Sequence, residues 1–298
     1  MKAHPTYLMT DAAQFDVAYQ INPWMKPDAW AADPAAHRRA AAEGSKALRL
    51  ALEASGATVR MVPAVAGLPD LVFPANAAVV LDGKALAARF RHPERRGEEP
   101  RFLAAFEALK AEGLLTEVTQ IEGCFQEGAG DCIWDAARGH FWAGSGPRST
   151  PPSIGAIADY FGREVVHLPL GSDRFYHLDT CFCPLSGGEI LYYPPALTDE
   201  ALGRLRERVP ADRLIEATDE DAAAFCVNAV CLERTVIMAM PGQALRDRLA
   251  ARGYAVVGVD LAPFILSGGG AFCMTLRLDL TSAAAQSAAP IRAETLAG

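Results

Sequence analysis

The sequence predicts an α/β fold in which five similar units close into a ring. Three observations predict it. Five helix-forming segments recur at a period of about 50 residues, each helix runs into a strand, and the gap before the next helix holds further strand-like runs broken by D-G or G-G turns. A doubly wound open sheet, the alternative for alternating helices and strands, would place single strands between helices rather than hairpins.

The elements follow in order. The first helix is expected in "HRRAAAEGSKALRLALEASG", with Leu48 and Leu52 on one face and Gly56 as its stop. In "PRFLAAFEALKAEG" the apolar stripe is Phe102, Phe106 and Leu109, and in "PPSIGAIADYFG" it is Ile154, Ile157, Ala158 and Phe161 at i, i+3, i+4, i+7. "TDEALGRLRERVP" has Thr198 as N-cap, acids in its first turn and arginines late, and "GQALRDRLAARG" is the fifth. Four of the five end in glycine, which adopts the left-handed helix stop at no steric cost, and the other ends at proline. The strands that follow are "ATVRMVPA", "LTEVTQIE", "REVVHLPL", "DRLIEATD" and "YAVVGVDL". The hairpin segments are "AAVVLDGKALAARF", "DCIWDAARGHFWAG", "GEILYYPPA", "AVCLERTVIMAM" and "AFCMTLRLDL". One domain is expected over residues 1–282, with the small, polar tail 283–298 loosely ordered.

At 298 residues the chain is long enough for a substantial core. Its net charge of -8 argues against nucleic acid and anionic membrane as partners. No apolar run approaches the roughly 20 residues that span a bilayer, and "MKAHPTYLMTDAAQFD" carries no signal-peptide pattern. A cytoplasmic location and seven reduced cysteines are therefore expected. Cys181 and Cys183 form a C-x-C without a second pair, so no metal and no cofactor are expected. No Walker A loop, complete G-x-G-x-x-G or H-E-x-x-H is present. A homo-oligomer is compatible with the sequence.

In a radial array, residues at matching points of each unit converge near the axis. The segments after each helix–strand pair carry Asn76, Glu127, His177, Asn228 and Cys273, spaced 51, 50, 51 and 45 residues apart. A thiol, an imidazole, a carboxylate and two amides thus share one phase. Cys273 stands behind three glycines in "SGGGAFC", where backbone is free to approach a ligand closely. A thiolate is the nucleophilic form; His177 can move protons, and a carboxylate such as Glu127 can orient it. Asp179, two residues beyond His177, would share its side of a strand, and Asp131 lies four beyond Glu127. So many acids around a thiolate call for a cation between them, which points to a guanidinium substrate. Arg91, Arg95 and Arg148 are the candidates for gripping a substrate carboxylate, although "RFRHPERRGEEP" also reads as a solvated charge run.

At these residues the chain resembles the amidinotransferase, or pentein, superfamily: arginine deiminases, dimethylarginine dimethylaminohydrolases, glycine amidinotransferases and arginine dihydrolases. The resemblance runs from "YQINPWM" through "VFPANAAVV", "RHPERRGEEPRF", "EGAGD", "GSGPRS", "HLDTCFCPL" and "NAVCL" to the "SGGG-x-x-C" end. It implies a five-bladed α/β propeller of ββαβ-type units about a pseudo-fivefold axis. It further implies Cys273 as nucleophile, His177 as general acid/base and Glu127 as its carboxylate partner. Asp179 would bind the guanidinium and Arg148 the substrate carboxylate. Asn22, Asn76, Arg95, Asp131 and Asn228 are expected around the same substrate. The usual aspartate is replaced here by Asn76, which together with Asn22 resembles the arginine dihydrolase branch, whose members take arginine to ornithine, carbon dioxide and ammonia. The additional residue in "EGAGD" leaves Asp131 as the rival to Glu127 for orienting His177. Hydrolysis of methylated arginine, amidino transfer to an amine, and a non-catalytic binding ring are the alternative functions.

Among the remaining residues, His167 is expected at a strand end, Cys226 and Cys231 in the core, and Trp24 and Trp30 either at the pocket mouth or in the core.

Overall fold

The computed structural model describes residues 4–283. Except for Ala283, the tail expected at 283–298 lies outside the described residues.

Strand β1, Thr6–Thr10, leads through the helix Pro34–Ala54 to β2, Thr58–Val62, which pairs with it in parallel. The next unit is a hairpin of β3 (Ala78–Leu81) and β4 (Lys84–Ala87), the helix Glu99–Ala111, and β5 (Glu117–Gln120), which lies parallel to β4. The same order recurs in β6 (Cys132–Asp135), β7 (His140–Ser145), the helix Pro152–Phe161 and β8 (Val165–Pro169). It recurs again in β9 (Phe182–Pro184), β10 (Ile190–Tyr192), the helix Asp199–Arg208 and β11 (Leu214–Glu216). The fifth set is β12 (Val230–Leu232), β13 (Thr235–Ala239), the helix Gln243–Ala250 and β14 (Ala255–Val259). Finally β15, Leu276–Arg277, pairs antiparallel with β1 at Tyr7↔Arg277 and Leu8↔Leu276. The result is five three-stranded sheets, the first stitched from both ends of the described chain. The fold is the five-bladed pentein propeller.

Local chemistry accounts for the helices. Thr198 caps its helix by accepting from Ala201 N–H, and the helix Pro152–Phe161 ends on Gly162 at φ 61°. The helix Pro34–Ala54 buries Ala41, Leu48 and Leu52, each Leu contributing roughly 1.5–3 kcal/mol on leaving water. Trp30 is in this core with Phe15, while Trp24 is half-buried and packs edge-on to Phe225.

Two strands escape the pattern. β1 reads only as "TYLMT" and its antiparallel partner is at the other end of the chain; β9 is three residues long and ends in proline. The long alternating strand expected over "AFCMTLRLDL" is confined to Leu276–Arg277. Ahead of it the backbone turns, with Met274 N–H donating to Gly270 O and Thr275 N–H to Phe272 O, so Cys273 rides on a turn. His177 likewise precedes a 3-10 turn, Leu178–Thr180, and Asp179 reaches the site from that turn, not by strand alternation. A cavity of about 150 Å³ lies along the inner strands beyond the site residues, walled by Trp134, Phe182, Cys183, Cys231 and Arg277. Cys231 is therefore half-buried beside a cavity, whereas Cys226 is fully buried as expected.

Candidate active site

Each loop that enters an inner strand delivers one set of groups to the same end of the axis. Asn76 sits in the turn before β3, Glu127 and Asp131 before β6, His177 and Asp179 before β9, Asn228 before β12 and Cys273 before β15. All seven are almost fully buried.

Asn228 holds the thiol turn. Its Oδ1 accepts from Cys273 N–H (3.1 Å) and Phe272 N–H (3.0 Å), while its Nδ2 donates to Asp179 O (3.1 Å) and meets Cys273 Sγ at 3.0 Å. The glycines in front of Cys273 make room for neighbours already in place. A Cβ on Gly269 would lie 2.1 Å from the Phe73 ring, and one on Gly270 would lie 2.9 Å from Asn228 Oδ1. The thiol itself donates to Asp179 Oδ2 at 3.1 Å, and Asp179 Oδ1 is buried with no hydrogen-bond partner among the described residues.

The imidazole of His177 is clamped on both edges. Its Nε2 is 2.8 Å from Glu127 Oε2 and 4.0 Å from Asp131 Oδ2; its Nδ1 faces Asn76 Nδ2 at 3.5 Å. Glu127 Oε2 also accepts from Arg148 Nη1 (3.0 Å), and Oε1 accepts from Arg91 N–H (3.2 Å). Asp131 acts on the backbone instead. Its Oδ1 accepts from Leu178 N–H (2.9 Å) and its Oδ2 from Ser149 Oγ (2.5 Å), and Ser149 Oγ in turn accepts from Glu127 N–H (3.0 Å).

These surroundings set the charges. Burial alone would raise Glu127, but the Arg148 guanidinium and the His177 contact overcome it and hold the carboxyl well below the usual range. Burial raises Asp131, and it raises Asp179 to about 7 despite the opposing pull of His177. Burial, followed by the Asp179 charge, drives the Cys273 thiol well above its ordinary value. The site thus holds a protonated thiol against a carboxyl with a spare acceptor.

Several expected substrate contacts are spent within the protein. Asn228 uses both ends of its amide on the thiol turn and Asp179. Asn22 accepts from Trp24 N–H and Met25 N–H and donates to Ser267 O, which ties the N-terminal loop to the glycine run. Arg148 pairs with Glu127, donates to Ile21 O (3.2 Å) and lies over the Tyr176 ring, with its Nε unpartnered among the described residues. Arg95 is 2% exposed and grips Glu98 through Nε and Nη2, both at 2.8 Å, while Nη1 donates to Asn76 Oδ1 at 2.8 Å. Most of this stretch is a solvated run, with Arg89, Arg91 and Arg96 exposed and Arg91 donating to Gly146 O, whereas Arg95 and Glu98 are buried. His167 lies in the middle of β8, opposite Ala143, not at the strand end expected of it; its Nε2 is 2.7 Å from Ser145 Oγ.

Glu98, Ser149 and Tyr176, whose hydroxyl donates to Gly268 O at 2.7 Å, were not foreseen. The i,i+3 spacing of Arg95 and Glu98 was the one available signal. Among the described residues no group of three or more His, Cys, Asp or Glu is arranged to hold a metal ion, and no helix is long and apolar enough to cross a membrane.

Comparison with known proteins shows what the chain is similar to. The chain is 40% identical over 271 residues to the bifunctional arginine dihydrolase/ornithine cyclodeaminase ArgZ of Synechocystis, covering 91% of this chain and 37% of that protein. It thus spans little more than a third of that relative's length. It is 34% identical over 272 residues to the N(G),N(G)-dimethylarginine dimethylaminohydrolase of Mycobacterium tuberculosis, covering 91% of this chain and 85% of that one. A crystal structure of the ArgZ N-terminal domain, an asparagine-to-serine variant covalently bound to a reaction intermediate, superposes with a TM-score of 0.85 at 38% identity, over 93% of this chain and 99% of that one. The family model described as N,N dimethylarginine dimethylhydrolase, eukaryotic, matches residues 8–280, and the chain belongs to that family within the pentein superfamily.

Proposed function

We propose that this chain is a cysteine-dependent hydrolase of guanidino compounds that takes arginine and two waters to ornithine, carbon dioxide and two ammonia. The observation that carries this is the unpartnered Asp179 Oδ1 beside the Cys273 thiol. A buried carboxyl with a free acceptor is costly until a donor arrives, and a guanidinium brings donors and a compensating charge together. The same cation favours the thiolate, so the nucleophile is generated only when substrate is present.

Sγ bonds to the guanidinium carbon while its proton leaves along the contact to Asp179. That proton passes to one nitrogen of the tetrahedral adduct, the C–N bond breaks, and ammonia departs. The remaining S-amidino cation is attacked by water; His177 Nδ1 takes the water's proton, and the C–S bond breaks to return the thiol and a ureido product. Glu127 keeps its carboxylate on Nε2 and stabilises the imidazolium as it forms. Asn76 carries the dihydrolase outcome: an amide donor can hold a ureido oxygen that an aspartate would repel, so citrulline stays for a second round. Arg148 Nε and the remaining N–H of Arg95 Nη1 are the donors left for the substrate's carboxylate. The relative named for both an arginine dihydrolase and an ornithine cyclodeaminase matches this chain over the part that carries these residues.

A second reading, hydrolysis of dimethylarginine, is favoured by the family model and the Mycobacterium relative. One experiment separates the two. Purified protein is given arginine or asymmetric dimethylarginine, and ammonia, dimethylamine, citrulline and ornithine are counted. Two ammonia per ornithine are expected from arginine; citrulline as the sole product would overturn the dihydrolase outcome, and turnover of dimethylarginine alone would favour the second reading.

A further inference from the structure

The contacts of Asn76 settle which end of its amide faces His177, and they do so through a residue outside the catalytic group. The two ends of an asparagine amide are nearly the same size, so its orientation follows from its partners. Arg95 has only donors, and its Nη1 stands 2.8 Å from Asn76 Oδ1, which must therefore be the acceptor. Nδ2 is then turned to His177 Nδ1 at 3.5 Å. An N–H facing Nδ1 requires that nitrogen to be unprotonated, and the ionised Glu127 requires the proton on Nε2. Nδ1 is thus left free to accept a proton. Gly130 admits this arrangement, since a Cβ there would lie 2.3 Å from Asn76 Nδ2.

Arg95 can do this only because it is itself immobilised. Glu98 takes it in a two-toothed grip at 2.8 Å per contact, Asp70 O accepts from Nη2 at 3.2 Å, and the guanidinium lies 4.4 Å from the centre of the Phe90 ring. Of these, the Glu98 grip is the one that engages two nitrogens of the fork at once, with the Asp70 carboxylate further off at 3.9 Å from Nε, and the planar fork sets the direction in which Nη1 points.

The geometry points to Glu98 as a positioning residue: through Arg95 it locks the Asn76 amide with its donor edge toward His177 and the substrate, and so selects the His177 tautomer and the retention of a ureido intermediate. The second half of this statement rests on the dihydrolase reading above; the first half does not. Loss of the grip frees Arg95, lets the Asn76 amide turn over, and presents its carbonyl to the ureido oxygen, so citrulline escapes.

The test uses the whole chain carrying Glu98→Gln, with Glu98→Asp as the conservative partner, arginine as substrate, and thermal unfolding to confirm folding. Two readouts are taken: the citrulline-to-ornithine ratio, and the ring-nitrogen signals of His177 in protein labelled with ¹⁵N-histidine. Glu98→Gln is expected to raise the citrulline share at least tenfold while arginine consumption falls by less than that. The His177 signals should move away from the single Nε2–H tautomer, and Glu98→Asp should recover much of both. Ring signals unchanged in Glu98→Gln, or activity falling with the product ratio constant, would overturn the inference. If the wild type itself releases only citrulline, the dihydrolase reading fails, and the ring signals alone then decide whether Glu98 positions Asn76. If Glu98→Gln does not fold, Arg95→Lys, which removes the planar fork that points Nη1 at Asn76 Oδ1, carries both readouts with the same criteria.

Discussion

The Asp179 carboxyl and the Cys273 thiol lie 3.1 Å apart and are almost fully buried, and among the described residues the other oxygen of Asp179 has no hydrogen-bond partner. Burial opposes the charge of both groups and the Asp179 charge further opposes the thiolate, whereas the thiol's hydrogen bond favours the Asp179 carboxylate, so the site is completed by a cationic ligand.

Asp179 must ionise to receive that ligand. With its pKa raised to about 7, kcat/KM for arginine should rise with pH through about 7 and approach a tenfold change per unit on the acid side. Asp179→Asn should lower kcat/KM by at least a hundredfold and remove this limb. The sign for stability is opposite. A carboxyl whose folded pKa exceeds its unfolded value favours the folded state in its neutral form, so the wild type loses stability as pH rises from about 4 to about 7. Asp179→Asn should therefore unfold at a higher temperature than the wild type at pH 8, with the gap closing toward pH 4. A variant less stable at pH 8 would show that Asp179 is held ionised by partners other than a ligand.

The thiol should discriminate by charge. A neutral haloacetamide finds Cys273 protonated, whereas a haloacetamidine of the same shape brings the cation that makes the thiolate favourable. Alkylation by the cationic reagent should be faster by two or more orders of magnitude and should be blocked by arginine. Cys273→Ser should abolish both turnover and labelling while unfolding at a similar temperature. Equal rates for the two reagents would contradict activation by substrate charge.

Glu127 and Asp131 should separate by role. Glu127 contacts the imidazole directly at 2.8 Å, and Glu127→Gln is expected to cost about 10²–10⁴ in kcat, the range typical of general acid–base contributions. Asp131 holds Leu178 N–H and Ser149, so Asp131→Asn should lower the unfolding temperature and reduce kcat less. A greater kcat loss in Asp131→Asn than in Glu127→Gln would reverse the assignment.

Helix stops and hairpin turns made the ring legible in the sequence, because glycine and D-G chemistry are local and strong. β1 and β9 were not legible: one has its antiparallel partner at the far end of the chain, the other is only three residues long. The phase of Asn76, Glu127, His177, Asn228 and Cys273 was readable because every unit places its polar loop within a few residues of the start of an inner strand. What those groups touch was not. Asn228 was expected on the substrate, but an amide one blade away from a turn carrying two free N–H groups is captured by them. Glu98 was hidden in a charge run whose burial depends on the Asn76 turn and Asp70, neither adjacent in sequence. Ser149 escaped for the same reason, since its partners Glu127 and Asp131 belong to another loop.

The glycine run before Cys273 allows a test of packing against function. Gly269 lies against Phe73, which is 4% exposed and makes edge contacts with Phe15 and Phe264, so the ring has little room to withdraw. A Cβ at Gly269 would approach it to 2.1 Å. Overpacking of this kind costs about 1–3 kcal/mol, and here it pushes on the turn whose Cys273 O accepts from Ala75 N–H. Gly269→Ala should therefore lose that much stability in urea and lower kcat together, because the sulfur shifts relative to Asp179. Phe73→Leu in the same chain opens the space, so the double variant should recover more stability than the two single losses added together would allow. Additive losses would mean that the strain at Gly269 comes from its backbone and not from the ring.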